Sequence, residues 1–404
     1  MSRRGMLWVA FVLVHVLVAW LGFVWPNDPM GDVHRVYEPW SVRALLGTEV
    51  VGIDAPWVYP QWALVPMVLA HAFTVFGVGY TAAWALLVTA LDAVAFALLV
   101  GRGRSVGRAT AALFWLAAAV LLGPVGMYRL EAITVPIAIV GCLWLASRPW
   151  AASMLLAVAT WIKVWPAALL AAAVVALRRR LSIVGGAVVV SSLTLAAIIL
   201  AGGWSYAFGF IGDQTGRGMQ VEAPASTPYL WGALLGVEGF QVYYSQDMLT
   251  FEVTGTEIDT VIALMTPAMA VAALAVAVLG AVQIRRGARF VAVFPTLALA
   301  LVTVLIVFNK VGSPQFQSWL IAPLVIGLML RRARWVAPAV LGLILAGLTQ
   351  LVYPLGYHGI MVPESLAVSV LTLRNVLLVA LLVWTIVRLV RLPVAAPIRA
   401  PQPG

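Results

Sequence analysis

Apolar residues run in blocks of about twenty along this chain, and short loops rich in arginine cut between them. As a helix, about 20 residues rise through the ~30 Å hydrocarbon of a bilayer, so each full block reads as one crossing. Such blocks cover residues 6–25, 80–100, 109–124, 131–147, 182–202, 258–281, 290–308, 318–330, 336–352 and 366–390. Block 151–178 has arginine at both ends and is interrupted at Ile162-Lys163-Val164-Trp165-Pro166, which predicts a hairpin of two short helices. Block 61–78 would invert every later crossing if it spanned. It therefore predicts a helix lying on, or dipping into, one leaflet. The first block has full spanning length and no small-x-small site at its end, and reads as a retained signal-anchor.

The expectation is an all-α polytopic membrane protein with about ten full transmembrane helices, a broken hairpin and a juxtamembrane helix. One integral domain covers 1–390, and the Pro-rich stretch 391–404 reads as a disordered tail. Composition agrees: 63% hydrophobic against 10% charged residues excludes a soluble domain.

Charge adds an orientation. Eighteen arginines, from Arg3 and Arg4 to Arg399, fall in the loops of one side, and the positive-inside rule makes that side, with both termini, cytoplasmic. Fourteen of the fifteen carboxylates fall on the other side. The net charge of +10 is thus a topology signal, and no nucleic-acid partner is expected. The lone cysteine, Cys142, sits in an apolar block, which rules out a disulfide framework.

Three extracytoplasmic segments, 26–60, 203–257 and 309–317, are long or polar enough to build a site. The cytoplasmic loops are too short for a nucleotide-binding domain, and no Gly-rich phosphate loop occurs. There is no HExxH, no paired His/Cys spacing and no DxD on the outer face, so neither metal nor cofactor is expected.

Asp32 follows the first crossing, at the lipid–water boundary, where partial desolvation tunes a carboxyl for base chemistry. His34 and Tyr37 add hydrogen-bonding groups within two helical turns. Lys163 is one of only two lysines, and Pro166 suits the first turn of the next half-helix, so an ammonium sits beside a helix N-terminus. That combination predicts an anion site, with Lys163 facing Asp32. The other lysine, Lys310, lies in a polar turn reaching Gln315 and Trp319. Arg217 with Glu222, and Arg129 with Glu131, each place a guanidinium near a carboxylate. They suit phosphate or sugar recognition, and an internal ion pair suits the second couple equally. His358 is on an outer loop within reach of a substrate. Asp92 and Arg374 lie inside crossings at similar depth and predict a buried ion pair with each other, while His15 and His71 read as packed residues.

Together, Gly31-Asp32 through Tyr37, Tyr59-Pro60, Lys163-Val-Trp-Pro166, Arg217-Gly-Met-Gln220-Val-Glu222, Ser226-Thr-Pro-Tyr-Leu-Trp231 and Asn309-Lys310 through Gln315 and Trp319 resemble glycosyltransferase family 87. That family comprises actinobacterial GT-C-fold enzymes that use polyprenyl-phosphate mannose. The resemblance spans most of the chain, with Gln61 standing where many relatives carry a second proline. It implies a GT-C fold, a lipid-borne mannose donor and a glycolipid or lipoglycan acceptor. It also implies Asp32 as catalytic base, Lys163 as a holder of the donor phosphate, and Arg217 with Glu222 along the sugar site. Another polyprenyl-phosphate sugar, arabinofuranose or glucose, fits the same residues. A lipid-linked sugar transporter fits less well, because it calls for repeated polar groups at the midplane, where only Asp92 and Arg374 lie.

Overall fold

The computed structural model describes residues 2–246 and 248–393. Ser2 opens the first helix, Arg3–Val24, its hydroxyl accepting from the Gly5 N–H at 3.2 Å. The helix Val106–Leu122 ends at Gly123, whose φ of +57° is open to glycine at little strain. A Cβ there would also meet the Trp25 ring and the Gln350 amide, so the position is closed to larger residues twice over.

Among the described residues, seven helices are long and apolar enough to cross a membrane, and five shorter apolar helices of 10–17 residues stand beside them. The long helices turn bare apolar faces outward, as at Leu13 and Val16 (each 64% exposed) and Leu200 (89%). Lipid rather than water suits such faces. The chain is a mainly helical, multi-pass membrane protein.

Blocks 318–330 and 336–352 form one continuous run, Ile321–Gln350, that reverses at Arg331 (φ −146°, ψ 52°). Gly327 lies against the Trp335 ring, and a Cβ on Gly342 would come within 2.6 Å of Leu324 Cδ1. The two halves therefore fold back on one another around glycines that permit the approach. The broken block also forms its hairpin. Pro149–Ile162 and Ala167–Ala176 meet at an extended Lys163. The first arm is pinned to the next helix, Arg180–Leu200, by Ser153 donating to the Ile183 carbonyl and Trp161 to Ser191 (3.0 Å).

Block 61–78 is a short 3-10, α and 3-10 succession, Gln61–Ala63, Leu64–Ala70 and His71–Phe76. The Tyr80 hydroxyl donates to the Met67 carbonyl at 2.7 Å, which folds this segment back over the start of the next crossing, Tyr80–Val100. Val75 and Phe76 remain 78% and 70% exposed at its end.

The arginine loops gather together: Gly103 abuts Arg4, Gly107 abuts the Met329 carbonyl, and Arg388 donates to the Arg334 carbonyl at 2.6 Å. The polar loops gather elsewhere, through Asn27 to the Pro354 carbonyl (2.6 Å) and Gln220 N–H to the Lys310 carbonyl (2.9 Å).

One expectation is corrected. Asp92 pairs with His15 at 3.0 Å, not with Arg374. Arg374 instead donates to the Glu222 carbonyl and to Asn375 Oδ1. Similar depth does not fix which way a helix faces: Tyr80–Val100 packs on the first helix, whereas Ser365–Val390 packs on Phe290–Val307. Beside the helices, Gln241–Ser245 and Thr250–Thr254 pair as a small antiparallel hairpin in the largest polar loop. Their β-branched and aromatic residues carried that signal. The tail reading at 394–404 lies outside the described residues.

Candidate active site

Asp32 sits at the head of one wide helical turn, Val33–Tyr37, and its side chain takes no part in capping it. The carboxylate, 37% exposed, pairs through Oδ2 with Arg129 Nη1. Oδ1 accepts no protein hydrogen bond among the described residues. Arg129 occupies the tight turn between Pro124–Met127 and Glu131–Trp144. It also donates to the Tyr353 hydroxyl at 3.2 Å, and Tyr353 in turn donates to the Asn27 carbonyl at 3.4 Å.

Glu131 opens its helix, where an acid complements the helix dipole, and is 1% exposed. Its Oε1 meets Lys163 Nζ at 3.4 Å and Trp319 Nε1 at 3.3 Å. The Lys163 ammonium stands 4.5 Å over the Tyr59 ring. Burial opposes its charge, but Glu131 and then Tyr59 outweigh that and raise its pKa, so it stays cationic. Tyr37 and Tyr59 are both raised above the ordinary phenol range, chiefly by burial, and remain hydrogen-bond donors. Asp32 adds to both shifts and to that of Lys163, which puts all of these groups in one electrostatic cluster.

The pairing differs from expectation. Arg129 and Glu131 do not meet each other: Arg129 takes Asp32, and Glu131 takes Lys163. Lys163 is therefore not the direct partner of Asp32. The helix-terminus part of the anion site is weaker than expected as well. The N–H groups of Ala167 and Ala168 are spent on the Val164 and Trp165 carbonyls at 3.0 Å. What an anion would meet here is side-chain cations.

Those cations share a cavity of about 330 Å³ lined by Lys163, Arg217, Lys310, Tyr59, Gln315 and Trp319 on its polar side, with Phe210, Met269, Leu305 and Phe308 forming apolar wall. Trp319 is stacked on Phe316 (4.1 Å) and Trp165 (6.1 Å), giving the cavity a rigid aromatic side. Lys310 is buried, and burial above all lowers its pKa, with Arg217 adding repulsion and Glu252 opposing it. The Arg217 Nε is buried without a hydrogen-bond partner, and Arg217 forms no ion pair with Glu222.

Glu222 is 3% exposed, and its Oε2 is buried without a hydrogen-bond partner. Burial pushes its pKa from 4.5 to about 7, against its own backbone N–H and Arg374, which lower it. A raised carboxyl stabilises the fold fully below its ordinary value and loses that contribution as pH rises through about 7. Thermal stability should therefore decline between those values, by roughly 3 kcal/mol at most, and Glu222→Gln should flatten the decline. An unchanged slope in the variant would assign the decline to other groups.

Gln220 is committed to loop closure, donating to Thr250 Oγ1 at 2.7 Å and accepting from Ser313 Oγ at 3.3 Å. Two sequence candidates stay apart from the cluster. His34 Nε2 is held by both Asp28 oxygens at 3.1 Å, beside Arg35, and His358 is exposed on its own short helix. Sequence reasoning missed Tyr353, and took His358 where the neighbouring Tyr357 is the residue that reaches inward. The two tyrosine rings stand 5.1 Å apart, with Tyr353 accepting from Arg129 and Tyr357 within electrostatic reach of Glu222. Two tyrosines around Pro354 after an apolar run were the available signal. Gln61, at the departure from the family pattern, donates to the Tyr206 carbonyl at 2.9 Å and ties the Tyr59 segment to the next polar loop.

The chain matches no family model, no curated protein and no solved structure.

Proposed function

We propose that this protein is an inverting glycosyltransferase of GT-C type, with about ten crossings, that moves mannose from polyprenyl-phosphate mannose to a mannoside glycolipid or lipoglycan. The reading places it in the cytoplasmic membrane with the site on the extracytoplasmic face and both termini inside. It forms an α-(1→2) linkage, like the family 87 enzymes of phosphatidylinositol mannoside synthesis that the sequence resembles. The observation that carries it is Asp32, one oxygen held by Arg129 and the other open, in one electrostatic cluster with Lys163 and Tyr59, which line a cavity with three cations and an apolar wall.

The chemistry follows from those groups. Asp32 Oδ1 takes the proton of the acceptor hydroxyl as its oxygen attacks the anomeric carbon. The bond from that carbon to the phosphate oxygen breaks, and polyprenyl phosphate leaves with the electron pair. Lys163, Arg217 and Lys310 take up the charge that develops on the leaving phosphate, the term that usually contributes most in such sites. Attack opposite the departing phosphate turns a β-linked donor into an α-linked product. Phe210, Met269, Leu305 and Phe308 suit the first isoprene units of the carrier.

The test is a donor panel: membranes containing the wild-type protein receive polyprenyl-phosphate mannose, glucose or arabinofuranose, each radiolabelled, with mannoside acceptors. Transfer from the mannose donor is expected. Transfer from one of the other donors instead would reassign the sugar, and transfer from none would overturn the activity.

A further inference from the structure

A second cavity, about 450 Å³, opens at the arginine end, among the helices Phe290–Val307, Ile321–Gln350 and Ser365–Val390. Arg331, Arg334, Arg388 and Arg391 line it, and its floor is Ala292, Thr296 and Trp335. The fold fixes these arginines. Arg331 sits at the chain reversal, with non-helical dihedrals. Arg388 is held between Trp335 and Trp384, its guanidinium carbon 4.6 and 5.0 Å from the ring centroids, and donates to the Arg334 carbonyl at 2.6 Å. The end of its helix is fastened by Gln283 Nε2 donating to the Val390 carbonyl at 2.8 Å.

Loop arginines that serve only as topology signals have no need of such a geometry. They point into water and are mobile. Here four guanidinium groups converge on one concavity, and among the described residues none of the four meets a carboxylate. The sequence that follows Pro393, residues 394–404, contains no acidic residue. Mutual repulsion on this scale calls for an anion, and the bidentate fork of arginine fits phosphate oxygens. The floor and one wall are apolar or aromatic and continue onto lipid-facing residues such as Val387, 40% exposed. A free phosphate has no use for that wall, whereas the glycerol and ester region of a lipid does.

We infer that this cavity binds the headgroup of an anionic phospholipid, in the way basic pockets between transmembrane helices do. The site is independent of the sugar-transfer reading, since it lies at the opposite end from Asp32 and shares no residue with that cluster. Bound lipid neutralises the arginines and ties the reversal at Arg331 to the last helix.

The experiment uses the full chain in nanodiscs of phosphatidylcholine with a graded fraction of fluorescent phosphatidylglycerol, and reads energy transfer from the protein's tryptophans. The triple variant Arg331→Gln, Arg334→Gln, Arg388→Gln should lose apparent affinity by roughly tenfold or more. Removing the same charge at Arg102, Arg104 and Arg108 should change it by less than about twofold. Val387→Trp fills the cavity with every charge kept, and should also abolish the preference for the anionic lipid. Inorganic phosphate in excess should not displace the lipid. Equal losses in the two triple variants, wild-type binding by Val387→Trp, or no preference for phosphatidylglycerol in the wild type would each overturn the inference. Displacement by inorganic phosphate would replace the lipid with a soluble anion.

Discussion

Asp32→Asn should lower mannose transfer by about 10²- to 10⁴-fold, the range general-base catalysis contributes, while leaving donor binding nearly intact. The asparagine keeps the size of the side chain and an oxygen for Arg129, but it cannot take a proton from the acceptor hydroxyl. Arg129 remains supported by the Tyr353 hydroxyl, so the variant should fold. Membranes carrying wild type or variant at matched protein level, given radiolabelled polyprenyl-phosphate mannose, report the rate, and donor protection against thermal unfolding reports binding. Transfer equal to wild type would remove Asp32 from the chemistry. Loss of donor protection along with transfer would make it a binding group instead.

The second large effect concerns the buried pair Glu131–Lys163. Glu131→Ala should destabilise the protein by about 3–5 kcal/mol, because it removes the one carboxylate in ion-pair distance of a buried ammonium among the described residues. The double variant Glu131→Gln, Lys163→Met should regain most of that stability, since replacing both charges removes the unpaired one. Its donor use should nevertheless stay low, because one of the three cavity cations has gone. Thermal unfolding in detergent measures the first quantity, and the Michaelis constant for the donor measures the second. If the double variant transfers sugar as the wild type does, the pair holds the fold and does nothing for the phosphate.

Much of this was readable from the residues. The spacing of apolar blocks against arginine loops placed the long apolar helices and the broken hairpin at Lys163, while 61–78, expected as one helix on a leaflet, is a 3-10, α and 3-10 succession. The first two are consequences of length and charge, which sequence states directly. Pairings were less legible. Asp92 and Arg374 share a depth, yet the rotation of their helices sends one to His15 and the other to the Glu222 carbonyl. Arg129 and Glu131, two residues apart at a turn, diverge to Asp32 and Lys163 because a turn and a helix start aim their side chains differently. The site residues drawn from the polar loops divided in the same way: Asp32, Tyr37, Tyr59 and Lys163 converge, whereas His34 is taken by Asp28. Tyr353 and Tyr357 join the cluster from a distant loop, and only the folded chain shows that approach.

The most direct measurement follows the anomeric carbon itself. Purified protein would receive polyprenyl-phosphate β-mannose labelled with ¹³C at C1 and a mannoside acceptor, with the product read by carbon–proton coupling. The account predicts an α-(1→2)-linked mannose and stoichiometric release of polyprenyl phosphate. A β-linked product, or a labelled donor left unchanged by active protein, would contradict it.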